Sequence, residues 1–401
     1  MSTRQFTNPF RPGAGHMPPY LAGREKEVDE FRKLIRQKVV LDNMVLTGLR
    51  GVGKTVLLDT FKPIAIKNGW VWVGTDLSEA ASLTEERIAI RMLADMAAVT
   101  SSLVIGHEEI PGVGFAPESS RIEVRLDYET LVAHFQKTPG LVVDKLKSVL
   151  ELVWAYLSHE GHRGIIFAYD EAQNLGDHSE NGEFPLSVLL DTFQSIQKKE
   201  IPFFLVLVGL PTLFPKLVES RTFSERMFHV VFLDRLTKAD SKDAILKPIE
   251  KAGCPHSLSD ELVEMIVNES GGYPYFIQYI CREVYDVALQ KADRGEQLIV
   301  SIPDITRKLD ADFFSGRWAR ATDRQRDLLR VISQLPNCDE EFTVQEVAEK
   351  SKDFLEKPFS PSHISQMLAN LCAVGLAYKN RHGRYAFAVP LLGQFIRRQP
   401  V

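Results

Sequence analysis

Short apolar runs alternate with amphipathic segments through the first half of the chain. The runs have the length of buried strands and lie at residues 44–46, 70–75, 164–169, 203–209 and 230–233. Helical periodicity is found at residues 25–38, 82–97, 131–135, 142–159 and 185–197. Apolar runs without polar alternation are typical of parallel strands that are covered on both faces. The pattern therefore predicts an α/β domain.

Composition divides the rest of the chain. Residues 1–20 are rich in proline and glycine, which predicts an extended lead-in. The α/β domain would occupy residues 21–236, with a loop-like or hairpin insertion at about 100–126, where Gly and Pro recur. Residues 237–314 predict a small helical domain, with helices at 239–252, 259–269, 274–291 and 303–312.

The last part of the chain, residues 315–401, predicts a winged helix. Three helices are expected at 323–335, 343–347 and 360–374. Ser360 and Pro361 form a favourable N-cap and first-turn pair for the third helix. A hairpin at 376–388 would come next, and its tip between Arg381 and Arg384 would be a basic wing.

The strand at 44–46 leads into the sequence GLRGVGKT, which matches the P-loop pattern in full. In that pattern the glycines permit unusual backbone angles, and the N–H groups of the loop and of the next helix face phosphate oxygens. Lys54 would place a positive charge at the β- and γ-phosphates, and the Thr55 hydroxyl would bind Mg²⁺. A chance glycine-rich turn is disfavoured because the motif lies between a strand and a helix. The predicted nucleotide-binding residues here are Gly48, Leu49, Arg50, Gly51, Val52, Gly53, Lys54, Thr55 and Val56.

Two carboxylates come directly after the apolar run at 164–169. Asp170 and Glu171 would emerge at the C-terminal end of a buried strand, where open α/β sheets place their sites. In the Walker B interpretation, Asp170 holds the Mg²⁺ shell and Glu171 orients the attacking water. An Asp-Glu turn without function is common in isolation, but behind a complete P-loop the functional interpretation is favoured.

Composition narrows the class of protein. The 401 residues are 44% hydrophobic and 25% charged, with a net charge of −5, so no global basic field indicates nucleic acid. The four cysteines are far apart in sequence, which predicts reduced thiols and disfavours a zinc site. Neither a signal peptide nor a membrane-spanning run is found, so we expect a cytoplasmic protein without a membrane partner.

Several motifs together resemble the Orc1/Cdc6-like AAA+ or STAND-type P-loop ATPases with a C-terminal winged helix. These motifs are Gly23-Arg24-Glu25 before the P-loop, the P-loop itself, Asp170-Glu171 and Gly272-Tyr273-Pro274. The resemblance implies a P-loop NTPase fold with a parallel five-stranded sheet of the ASCE type, an α-helical lid, ATP and Mg²⁺. The lead-in and the insertion at 100–126 lie outside it.

The resemblance also implies roles for single residues. Pro274 would touch the nucleotide from the lid, and Thr212 is the nearest residue to a γ-phosphate sensor, although a plain turn is equally favoured. Arg226 stands where related ATPases keep an arginine finger for a neighbouring subunit, with a surface salt bridge as an equal alternative. Tyr275 occupies the position of a usual lid arginine, which predicts slow hydrolysis.

Two functions from different classes fit these features. In the first, an ATP-driven switch engages DNA through its winged helix, with the predicted contacts Ser362, His363, Ser365, Gln366, Lys379, Arg381 and Arg384. Against it, the recognition helix has no Lys or Arg, and the tail from Arg320 has only 12 basic against 9 acidic residues. In the second, a STAND-type signalling or defence ATPase uses the winged helix structurally, and its partner is a protein or a second copy of the chain. A small-molecule kinase is disfavoured because no acceptor pocket is evident.

Overall fold

A computed structural model describes residues 7–13, 15–110, 120–254, 257–293, 300–381 and 383–400. These residues form two compact units. The sheet unit comprises Lys26–Thr47 and Leu57–Phe232. The helical unit comprises the described residues up to Glu25 and after Phe232, together with the segment Gly48–Val56.

The sheet unit is built on a five-stranded sheet and carries a separate hairpin. The strands up to residue 233 are β1 (Asn43–Gly48), β2 (Trp70–Val73), β3 (Val104–Ile110), β4 (Ser120–Arg125), β5 (Gly164–Tyr169), β6 (Phe203–Gly209) and β7 (Phe228–Leu233). The order in the main sheet is β2-β5-β6-β1-β7, and β2, β5, β6 and β1 pair in parallel. The crossovers between these parallel neighbours require the intervening helices. The predicted α/β fold class is confirmed.

Helices follow most strands of this unit. They are α1 (Glu25–Leu34), α2 (Lys54–Lys67), α3 (Glu85–Thr100), α4 (Tyr128–Lys137), α5 (Val142–Leu157), α6 (Pro185–Lys198), α7 (Leu213–Ser220) and α8 (Ser224–Met227). Several helices differ from the sequence prediction: α3 covers Glu85–Thr100 and not 82–97, and α7 and α8 are not predicted. Helix α1 ends at Leu34 and not near Lys38, and α4 starts earlier because the side chain of Asp127 caps it.

The core lies on both faces of the sheet. All seven residues of β6 are buried. Phe203, Leu205 and Leu207 belong to a cluster that also contains apolar residues of α3, α5 and α6. The intervening Phe204 points the other way, and its ring centroid lies 6.4 Å from that of Phe31. Because side chains of a strand alternate between faces, this double coverage explains why the sequence of β6 shows no polar alternation.

The segment predicted as a loop or hairpin at about 100–126 contains an antiparallel hairpin. Strands β3 and β4 pair from Val104 with Arg125 to Ile110 with Ser120. Residues 111–119 of the predicted insertion lie outside the described residues.

The helical unit continues with nine helices and three strands among its described residues after Phe232. They are α9 (Lys238–Lys251), α10 (Asp260–Ser270), α11 (Pro274–Asp293), α12 (Ile302–Leu309), α13 (Ser315–Trp318), α14 (Asp323–Ser333), α15 (Val344–Phe354), α16 (Pro361–Ala373), α17 (Leu392–Arg398), β8 (Phe342–Thr343), β9 (Ala377–Arg381) and β10 (Arg384–Phe387). A π-helical turn at Asp310–Phe314 joins α12 directly to α13. The predicted division at 314/315 therefore falls within a continuous helical stretch, and the domain boundaries stay a prediction.

The C-terminal part has the order of helices and strands expected of a winged helix. Helices α14, α15 and α16 precede β9 and β10, and the small sheet has the order β8-β10-β9. Thr343 caps α15 as predicted, but this helix continues past Val347 to Phe354. The sequence pattern does not predict helix α17, whose Phe395 stacks on Phe314 with ring centroids 5.0 Å apart. In the part of the chain that the structure describes, every helix is too short or too polar to cross a membrane.

Candidate functional site

The segment Gly48–Thr55 has the backbone geometry of a phosphate-binding loop. Gly51 and Gly53 have φ of 80° and 93°, which lie in the region that favours glycine. Gly48 is needed for a different reason, because a Cβ there would lie 2.5 Å from the carbonyl oxygen of Leu233. A Cβ at Gly53 would have no heavy atom within 4 Å, so the backbone there is open to a ligand.

Lys54 is held at the start of α2 by the loop itself. Its ammonium group donates to the carbonyl oxygens of Gly48 at 2.9 Å and Leu49 at 3.0 Å. The cation is therefore placed over the loop at the helix N-terminus, where the helix dipole favours an anion. Thr55 is the next residue of the same turn. A glycine cradle, a lysine and a hydroxyl in this arrangement fit a nucleotide phosphate chain.

Arg24 braces the loop from the N-terminal side. Its buried guanidinium group donates to the carbonyl oxygens of Val52 at 3.0 Å and Asp234 at 2.7 Å. From the sequence alone, Gly23-Arg24-Glu25 is only one of the motifs in which the chain resembles the ATPase family. The structure gives Arg24 a physical role, because it fixes the peptide between two glycines of the loop.

Helix α11 contacts the loop through its first turn. Pro274 begins this helix, and the backbone N–H of Tyr275 donates to the carbonyl oxygen of Gly51 at 3.2 Å. Burial raises the pKa of the Tyr275 phenol, and the charge of Arg317 lowers it in part. Pro274 and the loop therefore lie near each other within the helical unit. The role of Pro274 in nucleotide contact stays a prediction.

Asp170 and Glu171 lie directly after β5 in the sheet unit. Asp170 is buried, and its carboxylate accepts a hydrogen bond from the backbone N–H of Glu171 at 2.7 Å. Glu171 has φ of 51° and ψ of 32°, a left-handed conformation that is costly for a residue with a side chain. Such strain is typical of functional positions, although it does not by itself assign a role.

Gln173 holds the side chain of Glu171 by a hydrogen bond. The sequence analysis does not predict a role for Gln173. Its amide nitrogen donates to the Glu171 carboxylate, and its amide oxygen accepts from the backbone N–H of Leu210 at 3.1 Å. Leu210 is the first residue after β6. Gln173 therefore ties Glu171 to the end of the neighbouring strand. Only its position two residues after Glu171 could have drawn attention to it.

The other predicted residues of the sheet unit lie in or beside short helices. Thr212 precedes α7, and its side chain makes no capping hydrogen bond. Arg226 is an exposed residue of the short helix α8. Within the described residues no carboxylate forms an ion pair with Arg226, so the salt-bridge alternative finds no support there. Its action on a neighbouring subunit stays a prediction.

The predicted DNA-contact residues of α16 are all exposed. Ser362, His363, Ser365 and Gln366 lie in the first half of this helix, and the His363 ring lies 5.6 Å from the ring of Phe359.

The wing strands carry the predicted cations. Lys379 is exposed in β9, and Arg384 is half-buried in β10. Arg381 ends β9, but the position of its side chain and the whole of His382 lie outside the described residues.

Comparisons with known proteins address the fold. A family model described as a domain of unknown function (DUF8462) matches residues 311–396. No curated protein matches the sequence. A solved structure of a Walker-type ATPase of Pyrococcus abyssi is similar, with TM-score 0.58 and 15% identity, covering 94% of this chain and 96% of that chain.

Two structures of the ORC2 protein of Aeropyrum pernix are also similar. The ADP form has TM-score 0.53 and 14% identity, covering 96% of this chain and 97% of that chain. The ADPNP–ADP complexes have TM-score 0.52 and 13% identity, covering 96% of each chain. Identities this low concern the fold alone. The chain shares the fold of these proteins, and the predicted P-loop NTPase fold is confirmed.

Replacing the brace of the loop should destabilise the protein. Arg24→Ala would leave the buried carbonyl oxygen of Val52 and the partly buried carbonyl oxygen of Asp234 without their charged donor, and we expect a loss of about 2–3 kcal/mol in the free energy of unfolding. Arg32→Ala is the matched control, because Arg32 lies on the exposed face of α1 and pairs with Asp29. The control should change stability by about 0.5 kcal/mol or less. Urea denaturation measures both, and equal effects would contradict the bracing role.

Proposed function

We propose that this protein is an ATP-binding, Mg²⁺-dependent ATPase that works as a slow switch. The observation that carries the proposal is the loop Gly48–Thr55, whose glycine backbone and Lys54 ammonium form a phosphate cradle at a helix N-terminus. The fold shared with a Walker-type ATPase supports the same activity. We assign the nucleotide-binding role to the loop residues predicted above and to Pro274.

The oxygen donors of the chain suit Mg²⁺. Among the described residues, no group of three or more His, Cys, Asp and Glu is placed to hold a metal. Mg²⁺ needs no such cage, since it is bound through one or two protein oxygens, phosphate oxygens and water. We assign the Thr55 hydroxyl as one ligand and the Asp170 carboxylate to the surrounding shell. Bound Mg²⁺ would neutralise charge that develops on the phosphates.

Two features favour slow hydrolysis. Glu171 is the proposed water-orienting residue, yet its carboxylate is held by Gln173 and would have to leave this partner to act. Tyr275 offers a neutral phenol where the resemblance implies an arginine, so one preorganised charge for the transition state is missing at that position. A long-lived ATP state suits a regulator that keeps one conformation until its partner arrives.

Engagement of DNA through the winged helix is the first candidate for the output of this switch. The exposed polar residues of α16 and Lys379 of the wing are available to a groove and to phosphates. Helix α16 has no Lys or Arg, so the phosphate contacts would depend on the wing. We propose DNA in general as the partner, without a particular sequence.

A structural role of the winged helix is the second candidate, and one observation favours it. Leu49 of the loop lines a cleft together with Phe387, Val389 and Leu391 of the C-terminal part. Nη1 of Arg50 lies 4.0 Å from the position that a Cβ of Gly375 would take. These contacts, all within the helical unit, link the nucleotide loop to the winged helix, as a sensor with a protein partner would require.

Two variants test the ATPase proposal. Lys54→Ala should abolish ATP binding with an unchanged circular dichroism spectrum, because the loop loses its positive charge. Glu171→Gln should bind ATP normally and hydrolyse it more slowly by about 10²-fold or more, the usual contribution of a general base. The parent should turn over ATP on a scale of minutes. Unchanged ATP affinity in Lys54→Ala would contradict the site, and several turnovers per second in the parent would contradict the slow switch.

Self-association through Arg226 is tested by mixing variants. Arg226→Ala and Glu171→Gln alone should each turn over ATP far more slowly than the parent, and a mixture should recover turnover because each subunit supplies what the other lacks. A finger supplied in trans is worth about 10³–10⁵ in rate, so the recovery should be easy to detect. A monomer in saturating ATP by light scattering, without recovery in the mixture, would count against this role.

A salt titration separates the two candidates for the output. If the winged helix binds DNA, affinity should fall steeply between about 50 and 200 mM salt. Replacing both Lys379 and Arg384 by Ala should reduce the slope of log K against log[salt] by about 2. Lys352→Ala is the control, because Lys352 is exposed on α15 and pairs with Glu349. Absence of DNA binding at low salt would favour the structural role and a protein partner.

A further inference from the structure

The segment before α1 runs along the helical unit and is held there by side chains. Residues 7–13 and 15–20, called the N-terminal strap below, contain neither a helix nor a strand among the residues that the structure describes. The first residues of a domain are poorly ordered unless something ties them down. Three sets of contacts fix this strap, and they involve α11, the nucleotide loop and α9.

The first anchor of the strap lies on α11. The Asn8 amide donates to the carbonyl oxygen of Arg282 at 2.9 Å and to the carboxylate of Asp286 at 2.7 Å. Phe10 is only 3% exposed, and its ring packs edge to face on the ring of the buried Tyr285, with centroids 6.3 Å apart. Because burial of an aromatic ring removes a large apolar area from water, Phe10 is the main anchor.

From this anchor the strap continues toward the N-terminus of α11. The backbone N–H of Arg11 donates to the side-chain oxygen of Gln278 at 3.2 Å. Gln278, Arg282 and Asp286 follow each other at intervals of four residues, so they lie on one face of the helix. The strap therefore runs antiparallel to α11 along this face, in the direction of the turn at Tyr275 that contacts the loop.

The middle of the strap lies against the nucleotide loop. Gly15 has φ of 70°, and a Cβ there would be 3.4 Å from Cγ2 of Thr55, which is van der Waals distance. Thr55 belongs to the first turn of α2, whereas α11 contacts the loop at Gly51. The strap and α11 therefore contact the loop at two different places.

The second anchor of the strap lies on α9. The centroid of the Tyr20 ring lies 4.6 Å from Nζ of Lys247 and 4.7 Å from Nζ of Lys251. The Tyr20 hydroxyl also accepts a hydrogen bond from Lys247 at 2.9 Å. Ammonium groups over an aromatic ring are attracted to it, and the hydrogen bond adds a direction. The strap is thus fixed on both sides of its contact with Thr55.

We propose that the N-terminal strap slows the release of nucleotide by holding α11 against the nucleotide loop. The proposal rests on the proposed function of the loop. Movement of α11 away from the loop requires the strap to leave either α11 or its contacts with Thr55 and α9. A loop that is held in its binding conformation costs less to order when nucleotide binds. By thermodynamic reciprocity, bound nucleotide should in turn favour the docked strap.

The rate of nucleotide release from purified full-length variants tests the proposal. Phe10→Ala should speed the dissociation of mant-ADP, a fluorescent ADP analogue, by about tenfold or more, because it removes the buried ring of the first anchor. Asn8→Ala should speed dissociation by about threefold to tenfold, the worth of one or two hydrogen bonds. Asn8 is half-buried, so this variant decides the question if Phe10→Ala fails to fold.

Arg11→Ala is the matched control for both variants. The side chain of Arg11 is exposed on the same strap, while the hydrogen bond to Gln278 uses its backbone. This variant should release mant-ADP at the rate of the parent. Acceleration equal to that of Phe10→Ala would overturn the proposal, because the effect would then not depend on the anchors.

Hydrogen exchange provides a readout that a merely structural segment would not change. The amides of Phe10 and Arg11 donate to the side-chain oxygens of Asn8 and Gln278, so undocking of the strap exposes the Arg11 amide to exchange. Saturating ADP should slow the exchange of the Arg11 amide in the parent protein. An exchange rate that ADP does not change would overturn the coupling between strap and nucleotide.

The outcomes distinguish this proposal from the proposed function. A parent protein that binds no mant-ADP would contradict the nucleotide site itself, and the role of the strap with it. A parent that binds mant-ADP, with Phe10→Ala and Asn8→Ala releasing it at the parent rate, would overturn only the role of the strap. Faster release in both variants, with slower exchange of the Arg11 amide in ADP, is the result that supports it.

Discussion

The loop Gly48–Thr55 keeps its shape because donors from three parts of the chain satisfy its carbonyl oxygens. Lys54 donates to Gly48 and Leu49, Arg24 donates to Val52, and the backbone of Tyr275 donates to Gly51. Four carbonyl groups of the loop, those of Gly48, Leu49, Gly51 and Val52, are thereby occupied within the protein. The shape of the loop therefore depends on the segment before α1 and on the first turn of α11.

These contacts explain why the loop belongs to the helical unit, although the strand that leads into it belongs to the sheet unit. Gly48 allows the backbone to approach Leu233, and Gly51 allows it to approach Tyr275. Side chains at either position would push the loop away from these neighbours. The glycines of the motif thus serve packing within the chain, and one backbone hydrogen bond joins the first turn of α11 to the loop.

Local patterns predict most of the fold. The strands of the main sheet are predictable because each is a short apolar run that is covered on both faces, and the P-loop because its chemistry requires fixed residue types at fixed spacing. Helix α17 is not predicted, because seven residues are too few to show helical periodicity. Its burial depends on contact between Phe395 and Phe314, which are distant in sequence. The contacts of Arg24 and Gln173 are also inaccessible from sequence, because each binds a residue that is distant in the chain.

The position of Arg50 bears on the choice between the two roles of the winged helix. Helix α16 exposes Ser362, His363 and Gln366 near its N-terminus, and Gly375, just past its C-terminal end, lies beside Arg50. At about 1.5 Å per residue these two regions are roughly 14–20 Å apart along the helix axis. The C-terminal end of a helix favours a cation, and the guanidinium of Arg50 lies beside this end. Because one helix reaches from the loop to exposed polar residues, contact of the winged helix with the nucleotide loop does not exclude engagement of DNA at the other end.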